Sequence, residues 1–292
     1  MRLGALEAGG TKMVCAVGDE LGNVYERESY PTLKPEETIP HLIEFFKNKQ
    51  IESLGIGSFG PLCLDEKAEN FGDITTTPKP GWANYPLLRA FKDALGIPVG
   101  IDTDVNAAAL GEATYGAGKG CDTLIYYTIG TGVGGGAIIN GKMAHGLVHP
   151  EMGHILLRPV KEDPTPKGFC PYHDGCLEGM ANGPAIEKRW GVSAKLLPVD
   201  HIAWDVEAEY LAQMCANTIV MYSPEKIVLG GGVMHQMQLF PKVRKRTLEL
   251  LNGYVAAPAI LEHIDEYIVS PGLGDNAGAV GSLLIAKMAL EA

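Results

Sequence analysis

Twice in this chain two apolar runs are joined by a short turn rich in glycine and threonine. Leu3 to Leu6 and Met13 to Val17 flank Glu7-Ala-Gly9-Gly10-Thr11-Lys12, while Leu124 to Ile129 and Gly134 to Ile139 flank Gly130-Thr131-Gly132. Each unit reads as a β-hairpin whose turn presents backbone N–H groups. A unit repeated at this distance fits two similar lobes facing each other, with both turns directed at one polyphosphate. Taken alone, Gly9-Gly10-Thr11-Lys12 is equally an ordinary hairpin turn, and it lacks the spacing of a Walker A loop. The recurrence is what gives it weight.

Between and after the hairpins, hydrophobic periodicity predicts a strand over Val24 to Tyr30 and an amphipathic helix over Glu37 to Lys49. A short strand, Leu54 to Ser58, runs into Gly57-Ser-Phe-Gly60-Pro61, either a plain turn or a ligand loop of the kind α/β sheets place after a strand. Trp82, in the loop before a helix over Pro86 to Leu95, reads as a packing or a ligand-flanking residue. Gly116 to Gly120 reads as a hinge. Helices follow over Gly183 to Arg189 and Val206 to Tyr222, the latter with an apolar stripe better suited to a core than to a cofactor. The strand Lys226 to Leu229 ends in Gly230-Gly231-Gly232, and a terminal helix, Ala277 to Leu290, opens with small residues that suit close packing back onto the first lobe.

At Asp102-Thr103-Asp104-Val-Asn106 the strand predicted over Pro98 to Asp102 gives way to an alanine-rich helix. Asp104 therefore sits at the carboxyl end of a strand and the amino end of a helix. Two roles suit it there. An aspartate N-cap contributes about 1 kcal/mol to many helices. A carboxylate kept ionised by the helix terminus can also accept an alcohol's proton during phosphoryl transfer.

A third feature lies between Glu151 and Glu178: Glu151-Met-Gly-His154, then Cys170-Pro-Tyr-His173-Asp-Gly-Cys176-Leu-Glu178. Soft ligands at i, i+3 and i+6, with Pro171 and Gly175 shaping the turns, can wrap one ion, and His154 completes a Cys2His2 shell of the structural zinc kind. Four protein ligands leave no position for a reacting water, so the metal's work would be to anchor Glu151 and Glu178. That closed shell argues against a zinc hydrolase.

Composition narrows the partners. A formal net charge of -11 on 292 residues speaks against nucleic acid and anionic membranes. An anionic ligand would need local backbone donors, for which the 37 glycines are the source. No apolar leader follows Met1 and no long uninterrupted apolar run occurs, which predicts a cytoplasmic protein. Cys15, Cys63, Cys121 and Cys215 read as buried free thiols.

Taken together, Glu7 to Lys12, Asp104-Val-Asn-Ala-Ala-Ala-Leu-Gly-Glu112, Thr128 to Gly136, Glu151 to His154, the Cys/His segment and Leu229 to Gly232 resemble the ROK family of sugar kinases and repressors, in particular its bacterial zinc-containing fructokinases. The resemblance spans nearly the whole chain. It implies an α/β, actin-like ATPase (ribonuclease H-like) fold with two lobes around a cleft, divided as 1–115 plus the terminal helix 276–292, and 116–275 carrying the zinc segment 154–176. It implies transfer of the γ-phosphate of ATP to the 6-hydroxyl of a hexose, with Mg2+, structural Zn2+ and a homodimer.

By the same resemblance Asp104 is the base; Gly60, Thr103, Asp104, Glu151, His154 and Glu178 line the sugar pocket; and His154, Cys170, His173 and Cys176 bind zinc. Gly9, Gly10, Thr11, Lys12, Thr131, Gly132, Gly134 and Gly135 would hold phosphates, with Gly231 and Gly232 near the adenosine. Glu7, Thr103 and His173 stand where the family commonly has Asp, Asn and Cys. Fructose is the favoured hexose, with glucose, mannose and N-acetylmannosamine as alternatives. A repressor-type sensor of the same family would need a DNA-reading segment ahead of the first strand, and the first strand begins by Leu3.

Overall fold

Period-two alternation of core residues carries Leu3–Ala8 (β1) and Lys12–Gly18 (β2) into an antiparallel pair. In the computed structural model, which describes residues 1–292, Val24–Pro31 (β3), Ser53–Ser58 (β4) and Val99–Thr103 (β5) extend that pair into a sheet of order β3-β2-β1-β4-β5. β4 runs parallel to β1, and β5 to β4. The second hairpin, Leu124–Ile129 (β6) and Val133–Ile139 (β7), seeds another sheet with Lys142–Met143 (β8), Lys226–Gly230 (β9) and Ile268–Val269 (β10), in the order β10-β9-β6-β7-β8. Both sheets are thus three antiparallel strands extended by two parallel ones. The repeat expected from two glycine turns is a repeat of whole sheets, in the two-lobed α/β arrangement of actin-like ATPases.

Helices Pro35–Lys47 (α1) and Leu87–Leu95 (α2) cover one face of the first sheet, where Leu6, Ala8 and Cys15 meet Leu42, Phe46 and Phe91. Asp104–Tyr115 (α3) follows β5 directly. Leu177–Ala181 (α4) and Gly183–Trp190 (α5) follow the Cys/His segment. Ala203–Tyr222 (α6) and Leu239–Leu251 (α7) pack on the second sheet, where Ile125, Tyr127 and Leu229 meet Trp204, Leu211, Met214 and Phe240. Two single turns, Pro258–Leu261 (α8) and Ile264–Tyr267 (α9), lead to β10, and Ala277–Glu291 (α10) ends the fold.

α10 returns to the first sheet, as its small residues suggested: Ala279, Leu283 and Ala286 pack on Leu3, Ala5 and Ala16, the face opposite α1 and α2. It also lies along α3, which reaches the second sheet through Ala108 and Ala109 against Leu124, Tyr126 and Val228. The two helices therefore form a shared layer between the sheets. Their contact is close enough that a Cβ on Gly281 would stand 1.6 Å from the Ala107 carbonyl oxygen, and one on Gly136 of β7 2.0 Å from that of Val105. At the far end of α3 the buried Glu112 carboxylate accepts from the amides of Ala117, Gly272 and Leu273 at 2.7 to 2.9 Å, tying the glycine-rich connection to the approach of α10.

Some local expectations shift. α1 begins at Pro35, a proline well suited to a first helical turn, rather than at Glu37, and α6 begins at Ala203 rather than Val206. Trp82 is a packing residue, 1% exposed, with Nε1 donating to the Leu33 carbonyl. Cys15 and Cys215 are buried free thiols, whereas Cys63 and Cys121 are only partly covered. No helix is long and apolar enough to cross a membrane.

Gly281→Ala should lower the thermal unfolding midpoint by several degrees. Helix propensity alone favours alanine by about 1 kcal/mol, so a net loss of roughly 1–3 kcal/mol reports the clash with α3. A raised midpoint in a thermal melt would contradict the close helix contact.

Candidate active site

The strand–helix junction Thr103–Asp104 delivers the central carboxylate. Thr103, buried, is the N-cap of α3: its Oγ1 accepts the Asn106 amide at 3.1 Å. Capping therefore belongs to Thr103, which leaves the Asp104 carboxylate free of that duty. Asp104 Oδ1 accepts its neighbour's amide, Val105 N, at 2.9 Å. Burial, opposed by that amide and reinforced by the charge of Glu151, pushes the Asp104 carboxyl up to about 6. Such a group is ionised at neutral pH and still basic enough to take a proton.

Asp104 lines a cleft of about 480 Å³ together with Glu7, Lys12, Arg27, Thr128 and Gly230 to Gly232. Glu7 lies at the end of β1, with Oε2 buried and without a hydrogen-bond partner. Burial and, second, the charge of Asp104 push its carboxyl up to about 7, against the opposing pull of Arg27 and Lys12. A hard divalent cation is the ligand such an orphaned carboxylate oxygen suits.

The first glycine turn is held by Thr32, whose amide donates to Thr11 O at 3.0 Å and whose hydroxyl donates to Gly9 O at 2.7 Å. The second is held from α5: Gly183 N donates to Gly130 O at 2.8 Å. Gly231 adopts φ +87° with its Cα against Ile129, a conformation and a space that exclude other residues. Lys12, Gly231 and Gly232 share the cleft with Asp104. Gly134 and Gly135 do not belong to the turn. They lie within β7, paired with Thr128 and Tyr127, and their missing side chains admit Val105 and Met152.

The expected metal ligands converge: one ligating atom from each of His154, Cys170, His173 and Cys176 lies within 4.8 Å of the others. His154 Nδ1 stands 3.7 Å from Cys176 Sγ and 4.0 Å from Cys170 Sγ, and His173 Nδ1 stands 3.6 Å from Cys170 Sγ. A tetrahedron with bonds of about 2.0 Å to nitrogen and 2.3 Å to sulfur has edges of roughly 3.3–3.8 Å, so the spacing fits Zn2+. Burial and the adjacent Cys170 thiol, against an opposing Gly179 amide, push Cys176 up to about 11, so a cation is what would hold thiolates here at neutral pH. The approach to the clip is pinned by the buried pair Arg189 Nε–Asp163 Oδ1 at 2.8 Å and by Tyr210, which donates to Asp163 Oδ2 at 2.7 Å.

Because His154 turns Nδ1 to the sulfurs, Nε2 is left to a second ligand. Glu178 begins the helix after the clip, and its Oε2 accepts the Val133 amide at 3.0 Å beside the Gly132 turn. The clip and the second glycine loop are therefore one assembly. Glu151 is half exposed and stands 3.7 Å from the buried ring of His149, which lies next to Gly60. Sequence reasoning missed His149, the adjacent His145–Asp102 contact of 2.7 Å, and Arg27. The only local sign was a pair of histidines four residues apart ahead of Glu151.

The molecule is similar to known proteins over its full length. It is 47% identical to a Pediococcus pentosaceus fructokinase, with 100% of this chain and 99% of that relative covered. Its fold matches the ROK hexokinase of Thermus thermophilus with a TM-score of 0.80 and 27% identity, covering 100% of this chain and 99% of that one. It matches a Streptomyces griseus ROK glucokinase, solved with glucose and AMPPNP, at a TM-score of 0.78 and 25% identity, covering 99% and 100%. The family model described as "ROK family" accounts for residues 3–289, and the chain belongs to that family.

Proposed function

We propose that this protein is an ATP-dependent hexose kinase that transfers the γ-phosphate of ATP to the 6-hydroxyl of fructose. The observation that carries the reading is the Asp104 carboxylate, raised to about 6 by burial and standing free of capping duty in a cleft shared with Lys12 and Gly230 to Gly232. The choice of fructose over glucose, mannose or N-acetylmannosamine is supported by the relative that is 47% identical.

In this reading Asp104 accepts the hydrogen bond of the sugar's 6-hydroxyl. As the alcohol oxygen bonds to the γ-phosphorus and the bond to the ADP oxygen breaks, the proton passes to the Asp104 carboxylate and then to solvent. Glu151, the Nε2 of His154 and Glu178 engage the remaining hydroxyls. Lys12 and the amides of Gly9 to Thr11 and Gly130 to Gly132 hold phosphate oxygens, and Gly231 and Gly232 pass close to the nucleoside. Glu7 is the residue placed to hold Mg2+, which when bound spreads the charge of the β- and γ-phosphates. Zn2+ held by His154, Cys170, His173 and Cys176 is structural: it fixes the His154 ring and the start of the helix bearing Glu178. Self-association as a homodimer is supported by the exposed Leu156, Val220 and Tyr254 around one surface groove, and sedimentation at micromolar concentration decides it.

Asp104→Asn should lower kcat by at least about 100-fold while fructose still binds. Near-normal turnover in a coupled ATP assay would remove Asp104 from the role of base.

In the wild type the carboxylate form is the active one, so kcat/KM for fructose should fall as pH drops through about 6, with Glu7 near 7 broadening the limb. A rate that stays flat from pH 8 to 5 would contradict this.

Cys170→Ser/Cys176→Ser should abolish stoichiometric zinc, read by elemental analysis, and raise KM for fructose more than KM for ATP. Unchanged zinc content would refute the ligand set.

A further inference from the structure

After β8 the chain runs through Ala144-His145-Gly146-Leu147-Val148-His149-Pro150 before reaching Glu151. Both histidines of this stretch bond to the other lobe. His145 Nε2 stands 2.7 Å from Asp102 Oδ2, two residues before Asp104. His149 Nε2 accepts the Leu62 amide at 3.1 Å. Leu147 and Val148 between them face solvent. The stretch is therefore a strap laid across the lobe boundary and pinned at both ends.

The His149 end has a property the other lacks. Its ring is 6% exposed and, like the Leu62 amide, stands 3.2 Å from where a Cβ on Gly60 would lie, a tight fit that a side chain at residue 60 would crowd. With Nε2 accepting from Leu62, the neutral ring carries its proton on Nδ1. That nitrogen stands 3.7 Å from Glu151 Oε1, one small shift short of a hydrogen bond, and no protein group bonds the Glu151 carboxylate in this structure. A single buried imidazole thus bonds a backbone amide of the first lobe and faces, just out of hydrogen-bond reach, an untethered carboxylate of the second.

We propose that His149 is a positioning residue: its Nδ1–H aims Glu151 at the sugar, and its bond to Leu62 makes that aim depend on the two lobes being together. The inference rests on the hexose-kinase reading above. It explains why residue 60 is glycine and why a half-exposed Glu151 can act in recognition at all. Specificity would then be set partly by closure, because a sugar that does not bring Leu62 to the ring leaves Glu151 loose.

The test is a double-mutant cycle on the full-length protein with fructose and ATP. His149→Ala should raise KM for fructose about tenfold or more and leave KM for ATP within about twofold. His149→Gln, whose amide can accept from Leu62 and donate to Glu151, should recover most of the loss. Glu151→Gln alone should also raise KM for fructose, and adding His149→Ala to it should raise KM by less than about twofold further. Should the alanine variant not fold, His149→Phe, which fills the space without either nitrogen, takes its place in the cycle.

An unchanged KM for fructose, equal rises for both substrates, or fully multiplicative effects in the double variant would each overturn the proposal while leaving the kinase reading intact. A wild-type protein that phosphorylates no hexose would overturn the kinase reading and the proposal with it.

Discussion

The distance between the two sheets is set by α3 and α10, and that distance governs everything in the cleft. The helices touch backbone to backbone where Gly281 meets Ala107, and β7 meets α3 backbone to backbone where Gly136 meets Val105. A methyl group at either point would push a layer outward, because packed interiors have few voids to absorb it. Asp104 opens α3, so its carboxylate stands wherever this sandwich puts the helix terminus. The phosphate turns belong to the two sheets on either side. Their reach to a common ligand is a matter of how thin the helix layer is.

The electrostatics follow from the same geometry. A chain of net charge -11 that handles a polyphosphate has to gather its positive potential locally, and Lys12 and Arg27 are the cations that line the cleft. Against these stand Glu7 and Asp104, buried closely enough that each raises or is raised by a neighbouring carboxylate. Two acids held near neutrality suit a site in which one waits for a cation and the other for a proton. Glu178 adds a mechanical link, since this residue, two after Cys176, also accepts an amide from β7. The Cys/His segment and the second glycine turn are therefore tied into one piece of the second lobe.

Much of this was legible in order along the chain. Apolar runs around glycine turns gave both hairpins, and the passage from β5 into an alanine-rich helix located Asp104 with no knowledge of the fold. The Cys/His cluster was readable because three of its members are neighbours in sequence. What escaped were pairings whose partners lie far apart, such as Leu62 with His149 and Glu112 with Gly272, which leave no periodic trace. Roles set by a tertiary neighbour were not legible either: Thr103 caps the helix, and Gly134 and Gly135 leave room for Val105 and Met152. In each case the tertiary neighbour, Asn106, Val105 or Met152, decides the role.

The placement of α10 has a consequence for biosynthesis. Leu3, Ala5 and Ala16 are buried by Ala279, Leu283 and Ala286, residues translated long after them. At about 5–20 residues per second, the ribosome needs on the order of ten to thirty-five seconds to travel from the end of β5 to the start of α10. Through that interval the nascent first sheet has one apolar face with no partner from its own polypeptide. The closing of that face therefore waits for the synthesis of α10.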